Sequence, residues 1–183
     1  MTVWTIAGSL RVEPVTARPD LLGAPVTAAL RQMDSTDVEL IGAVEIDPEL
    51  ADTAAFCQRY GSPMAASANC VVIAGKRAGE TRHAACLVLA TTRADVNGTV
   101  KRRLDVRKAS FAPMADAVGL TGMEYGGITP IGLPASWPVL LDAEVAAAPE
   151  LVIGSGVRRG KLLVPGGLLA KLAGAEVIDG LGR

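Results

Sequence analysis

Two apolar runs, Asn69-Cys70-Val71-Val72-Ile73-Ala74 and His83-Ala84-Ala85-Cys86-Leu87-Val88-Leu89-Ala90, flank the polar turn Gly75-Lys76-Arg77-Ala78-Gly79-Glu80. Runs of strand length around a short glycine-containing turn predict an antiparallel hairpin. So little polar alternation places that hairpin near the centre of a sheet, with both faces covered. Further strands are expected at Val3-Ile6, Val38-Ile46, Trp137-Asp142, Leu151-Ile153, Lys161-Val164 and Ala175-Ile178. Helical patterns fall at residues 26–33, 99–106, 113–120, 143–148 and 165–172. One more helix is expected to start at Asp47 as N-cap with Pro48 in the first turn, and to stop at Gly61. Strands with helices interspersed, but without strict βαβ alternation, predict an α+β fold built on a mixed sheet.

A chain of 183 residues fits one domain, residues 1–183, large enough for a real core. With aromatics at 3%, that core must be built from Ala, Val, Leu and Ile. Residues 1–25 read as irregular, punctuated by Gly8, Pro14, Pro19, Gly23 and Pro25, and residues 1–40 as a whole form a divergent N-terminal lead-in. The net charge of −1 gives no argument for nucleic-acid binding, so any RNA contact needs a local patch. Lys101-Arg102-Arg103, Arg107-Lys108, and Arg158-Arg159 with Lys161 are either such patches or ordinary solvated faces. Three cysteines without a CxxC pair argue against a disulfide framework and a zinc site, and fit a reducing cytoplasm. Neither a signal-peptide pattern nor a membrane-length apolar run is read from the sequence.

The stretch Thr121-Gly122-Met123-Glu124-Tyr125-Gly126-Gly127-Ile128-Thr129-Pro130-Ile131-Gly132-Leu133-Pro134 holds four glycines and two prolines among bulky apolar residues. Glycine allows close backbone approach and proline fixes φ, so the loop is shaped and stiff. It is either a buried turn or a pocket wall that offers backbone amides. Gly154-Ser155-Gly156, directly after an apolar run, is likewise a plain turn or a loop that meets a substrate closely. Asp142 ends a strand; it either orients backbone N–H groups, binds an ammonium, or caps the Ala-rich helix after it. Nucleophilic catalysis by a Ser-His-Asp or Cys-His device would have to use the one histidine, His83. No ligand spacing suggests a metal, and no nucleotide-binding fingerprint is present.

Gly126-Gly127-Ile128-Thr129-Pro130-Ile131-Gly132-Leu133 resembles the Gly-Gly-x-x-Pro-x-Gly loop of the YbaK/EbsC family. These are free-standing aminoacyl-tRNA deacylases related to the editing domain of bacterial prolyl-tRNA synthetases. Four more segments follow the family's order: Asp52-Thr53-Ala54, Val139-Leu140-Leu141-Asp142, Ile153-Gly154-Ser155-Gly156 with Arg158-Arg159, and Leu168-Leu169-Ala170-Lys171-Leu172. The resemblance covers residues 50–173 and leaves the stretch before residue 40 without a counterpart. It implies a compact α+β domain whose mixed sheet is barrel-like, with helices around it. It implies hydrolysis of the ester in mischarged tRNA without a cofactor or metal, in the cytoplasm, with an aminoacyl-tRNA synthetase as a further partner and no membrane.

By the same resemblance Asn69, Gly127 and Thr129 are the catalytic candidates. Gly126, Ile128, Pro130, Ile131, Gly132, Asp142, Gly154, Ser155 and Gly156 would bind the substrate, and Lys76, Arg158 and Arg159 the tRNA. The sequence departs from the family at one point. The family's lysine at the start of the first central strand is here Asn69, which can hydrogen-bond but carries no charge. Either Asn69 works with a cation from elsewhere, for which Lys76, Arg93 and Arg159 are the candidates, or the chain binds without efficient hydrolysis.

Overall fold

The structure is a computed structural model describing residues 4–183. The described residues form nine strands and seven α-helices arranged around two sheets. The strands are β1 (Glu13–Pro14), β2 (Gly42–Glu45), β3 (Ala68–Arg77), β4 (Glu80–Leu89), β5 (Ala109–Phe111), β6 (Val139–Asp142), β7 (Leu151–Gly154), β8 (Gly160–Val164) and β9 (Ala175–Ile178). The helices are α1 (Ala24–Leu30), α2 (Ser35–Val38), α3 (Thr53–Tyr60), α4 (Lys101–Leu104), α5 (Met114–Thr121), α6 (Ala143–Ala147) and α7 (Gly166–Leu169).

The five-stranded sheet has the order β5-β3-β4-β6-β9 and is mixed. β3 pairs antiparallel with β4, while β4–β6 and β6–β9 are parallel. The expected hairpin is there and is longer than the apolar runs, with register from Ala68–Leu89 to Arg77–Glu80. Its turn residues Ala78 and Gly79 both take positive φ, 49° and 86°. That geometry matches the right-handed twist of the flanking strands. The four-stranded sheet has the order β1-β2-β8-β7, antiparallel throughout. Its link to the larger sheet is a parallel bridge between Ser67 and Val152.

The α+β expectation with a mixed sheet therefore holds. The barrel-like closure does not, because the strands divide into two sheets that do not close on each other. The main core lies between them: Leu87, Val139 and Leu141 of one sheet meet Leu151, Ile153, Leu162 and Val164 of the other. α3 covers the far face of the smaller sheet, placing Phe56 and Cys57 against Val44, Val152 and Leu163. α4 covers the far face of the larger one, with Leu104 against Ile73, Ala84 and Cys86.

The single helix expected over residues 48–60 is two elements. Pro48–Leu50 forms one tight turn under the Asp47 cap, and Asp52 then starts α3 afresh by accepting the N–H groups of Ala54 and Ala55. The expected strand over 38–46 begins only at Gly42, because Ser35–Val38 closes a helical turn. The helix expected over 99–106 shortens to α4, preceded by a wide turn at Val96–Val100 held by Asp95. Of the strand expected at Val3–Ile6, Val3 lies outside the described residues, and Trp4–Ile6 is not strand. Among the described residues no helix is long and apolar enough to cross a membrane.

Candidate active site

The two glycine loops pack back to back, and that contact builds the wall of a cavity. A Cβ on Gly127 would stand 2.6 Å from the Val157 carbonyl oxygen, and one on Gly154 would collide with the Gly127 carbonyl. Only hydrogen fits at either position. Hydrogen bonds fix the pair: the Gly156 N–H donates to Gly127 O at 2.7 Å, and the Glu124 N–H donates to Gly156 O at 2.9 Å. The Arg158 guanidinium then staples the loop to the turn before α3, donating to Pro48 O at 2.8 and 3.1 Å and to Tyr125 O at 3.2 Å.

The cavity, about 520 Å³, opens between this wall, the start of β3, the turn Ala51–Thr53 and the end of β5. Asn69, Gly126, Ile128 and Gly154 of the expected site residues line it. Asn69 is held in place by Thr53, whose hydroxyl donates to Oδ1 at 2.8 Å and leaves the side-chain NH₂ free to donate. Phe111 and Tyr125 also line the cavity while remaining 63% and 57% exposed, so they stand at its mouth.

The other expected residues lie behind or away from the wall. Gly127 and Gly156 sit in the loop–loop contact, and the Gly127 N–H is already donated to Glu124 O. Ser155 is fully buried; its hydroxyl donates to Val157 O and its carbonyl accepts the Gly23 N–H. Thr129 is fully buried, with a hydroxyl that has no hydrogen-bond partner among the described residues. Pro130 and Ile131 are buried, and Gly132, at φ 89°, packs on the Pro25 carbonyl. Asp142 caps α6 through the Glu144 N–H and holds the C-terminal segment through the Gly182 N–H, so both its carboxylate oxygens are used inside the fold. Lys76 is exposed near the hairpin turn, at the opposite end of β3 from Asn69. Arg159 is paired with Asp20 at 3.5 Å and Glu45 at 3.2 Å.

The cation that does line the cavity is Lys161, which in sequence is the third member of the basic cluster with Arg158 and Arg159 and is neither part of a surface patch nor on a solvated face. It is 7% exposed, its ammonium donates to Ala51 O at 2.9 Å, and it stands 5.8 Å from the Phe56 ring centre. Burial pushes it down to about 8, with Asp52 opposing that shift. Nothing in the local sequence announces this: a lysine opening a strand ordinarily projects into water.

The nucleophile readings fare differently. Cys70 is on the cavity wall, but burial pushes its thiol far up, and Cys86 is pushed up to about 12. A reactive cysteine needs the opposite shift. His83 stacks on Trp137 with ring centres 5.0 Å apart, away from the lining residues.

Residues 47–172 match the family described as the aminoacyl-tRNA editing domain. No curated protein matches the chain. Among solved structures, a candidate trans-editing enzyme for prolyl-tRNA synthetase superposes with a TM-score of 0.71 at 23% identity, covering 88% of this chain and 96% of that one. A scaffold protein from an epitope-grafting study gives the same TM-score of 0.71 at 24% identity, covering 88% and 97%. These two likenesses concern the fold. The family match spans more than half of the sequence and coincides with the segments that build the cavity: this chain belongs to the aminoacyl-tRNA editing domain family and is, by that membership, an aminoacyl-tRNA hydrolase.

Proposed function

We propose that the chain is a trans-acting deacylase that hydrolyses the ester between a wrong amino acid and its tRNA, acting in the cytoplasm. The observation that carries this reading is the cavity on the family segment, about 520 Å³ and walled by two interlocked glycine loops with Asn69 on its lining. An aminoacyl ester is already activated, so a pocket that positions the carbonyl, a water and the neighbouring ribose hydroxyl can supply much of the rate. The stiffness of the Gly126–Gly132 wall suits selection by exclusion. Attraction for one extra methylene separates substrates by only about 1–3 kcal/mol, whereas a wall that cannot yield rejects the larger side chain outright. Phe111 and Tyr125 at the mouth offer π-faces to the unpaired 3′ nucleotides, a sequence-tolerant contact that needs no net positive charge.

The test is release of amino acid from a panel of mischarged tRNAs. Release well above the spontaneous rate is expected for at least one small amino acid. Cys70→Phe, which fills the cavity from β3, should abolish it. Tight binding of aminoacyl-tRNA with no release from any member of the panel would replace this reading with that of a binding module.

A further inference from the structure

Lys161 is the one cation among the described residues lining the cavity, and the fold does not use it up. Its ammonium has three donors and a single hydrogen-bond acceptor, Ala51 O. No carboxylate among the described residues lies within ion-pair distance of it; Asp52, also on the cavity lining, acts on it only from further off. An ammonium buried on one carbonyl is an expensive arrangement that a solvated lysine would avoid.

The sheet register says where the spare donors are. Gly154 pairs with Lys161 across β7 and β8, and the Ser67–Val152 bridge brings Asn69 level with Gly154 on the other side. Asn69, Gly154 and Lys161 thus form one row over three neighbouring strands, with no side chain on the middle member. Both outer side chains reach the same turn, Lys161 to Ala51 O and Asn69 to the Thr53 hydroxyl. The spare N–H groups of Lys161 and the free amide NH₂ of Asn69 therefore border the same part of the cavity.

We infer that Lys161, with Asn69 beside it, is the donor pair that holds the ester carbonyl oxygen and stabilises the oxyanion formed on it. The inference rests on the deacylase reading above. Water adds to the carbonyl carbon and the C=O electron pair moves onto oxygen, where the ammonium and amide donate. Collapse breaks the bond to the ribose oxygen, which takes the proton given up by the water. The products are the free amino acid and tRNA with its terminal hydroxyl restored. Preorganised donors at a developing oxyanion are worth far more in a dry site than in water. The acyl group is the terminal part of the substrate and travels deepest, which matches a lysine almost wholly shielded from solvent. The groups facing Lys161 are Asp52 and Cys57, which favour its charge, and Arg158, which opposes it.

Single-turnover release from the mischarged tRNA that the wild type hydrolyses fastest separates the possibilities. Lys161→Met should lower the rate constant at saturating enzyme by about 100-fold or more, with a smaller change in the half-saturating concentration. After subtraction of the uncatalysed rate, wild-type activity should fall as pH rises through about 8, where Lys161 loses its proton. Lys161→Arg should retain part of the activity without that fall, because a guanidinium stays protonated. A thermal melt of Lys161→Met no lower than the wild type's confirms that the loss is chemical. A wild-type rate constant in Lys161→Met overturns the inference. So does a loss confined to the half-saturating concentration, which would make Lys161 a general anchor such as a phosphate contact. Either result leaves the deacylase reading standing, whereas a wild type that releases nothing removes both.

Discussion

Residues Arg158, Arg159 and Lys161 are close neighbours in sequence and have three separate fates. Arg158 is spent on the carbonyls of Pro48 and Tyr125, Arg159 on Asp20 and Glu45, and Lys161 turns into the cavity. The sequence shows one basic cluster because local pattern carries no information about which strands will flank β8. Pairing with β2 on one side and β7 on the other buries Lys161, and both partners are distant in the chain. Asn69, by contrast, was legible, since the apolar run after it fixes its place at the head of β3. The burial of Lys161 makes a prediction about stability. Its folded-state value of about 8 lies below the ordinary 10.5. Below pH 8 both folded and unfolded states hold the proton and the burial cost is felt in full. Between about pH 8 and 10.5 the unfolded chain binds more protons than the folded one, so wild-type stability rises through that window. Lys161→Met should therefore be more stable than wild type at pH 7, by on the order of 3 kcal/mol less the hydrogen bond lost at Ala51 O. The gap should narrow toward pH 10, as checked by denaturant unfolding at both pH values. A wild type equally far below the variant at pH 7 and pH 10 would mean that burial of the charge is not the cause.

At the scale of elements, the apolar hairpin and the stiff glycine–proline loop were readable because their information is local. Uninterrupted runs of strand length and φ-restricted punctuation need no distant partner to be interpreted. What the loop packs against was not readable. Gly126–Gly127 and Gly154–Gly156 are separated by more than twenty residues, and each reads alone as an ordinary turn. Together they are one device in which missing side chains let two backbones touch. The same reasoning explains Asp142, whose role as a cap was open in the sequence and is occupied in the fold by Glu144 and Gly182 N–H groups. The close contact predicts that Gly154→Ala costs about 1–3 kcal/mol, since the new methyl must push the Gly127 carbonyl away. It should also lower deacylation by more than the unfolded fraction accounts for, because moving the Gly127 carbonyl shifts its neighbours Gly126 and Ile128, which line the cavity. Melting curves paired with release rates check both parts. Gly167→Ala, whose added Cβ meets nothing within 4 Å, is the matched control and should be near neutral.

At the scale of the whole molecule, the least interpretable part of the sequence proves to be a brace. Apart from the helical pattern at 26–33, which becomes α1, the stretch before residue 40 is broken by Gly8, Pro14, Pro19, Gly23 and Pro25 and shows no long periodic element, because its structure comes from what it leans on. β1 adds to the edge of β2, Gly23 donates to Ser155 O, Pro25 packs on Gly132, and Leu21 seats against Gly160. Arg18 gathers Glu13, Asp20 and Glu45, and Asp20 and Glu45 in turn hold Arg159. Val15, Leu21, Val26 and Leu30 enter the same core as Leu141, Ile153 and Leu162. The lead-in thus presses from behind on both loops whose front faces form the cavity. Leu21 is the position where this is most directly tested, being fully buried and distant from every lining residue in sequence. Leu21→Ala should cost about 2–5 kcal/mol of folding stability, as expected for a truncated core leucine. If the lead-in braces the loops, the folded fraction of Leu21→Ala should also show a slower single-turnover release than wild type at a temperature where both are folded, with substrate selectivity relaxed toward larger side chains. Unchanged selectivity with reduced stability would confine the lead-in to holding the core together. An unchanged melting temperature would mean that the segment is not integrated with the fold at all.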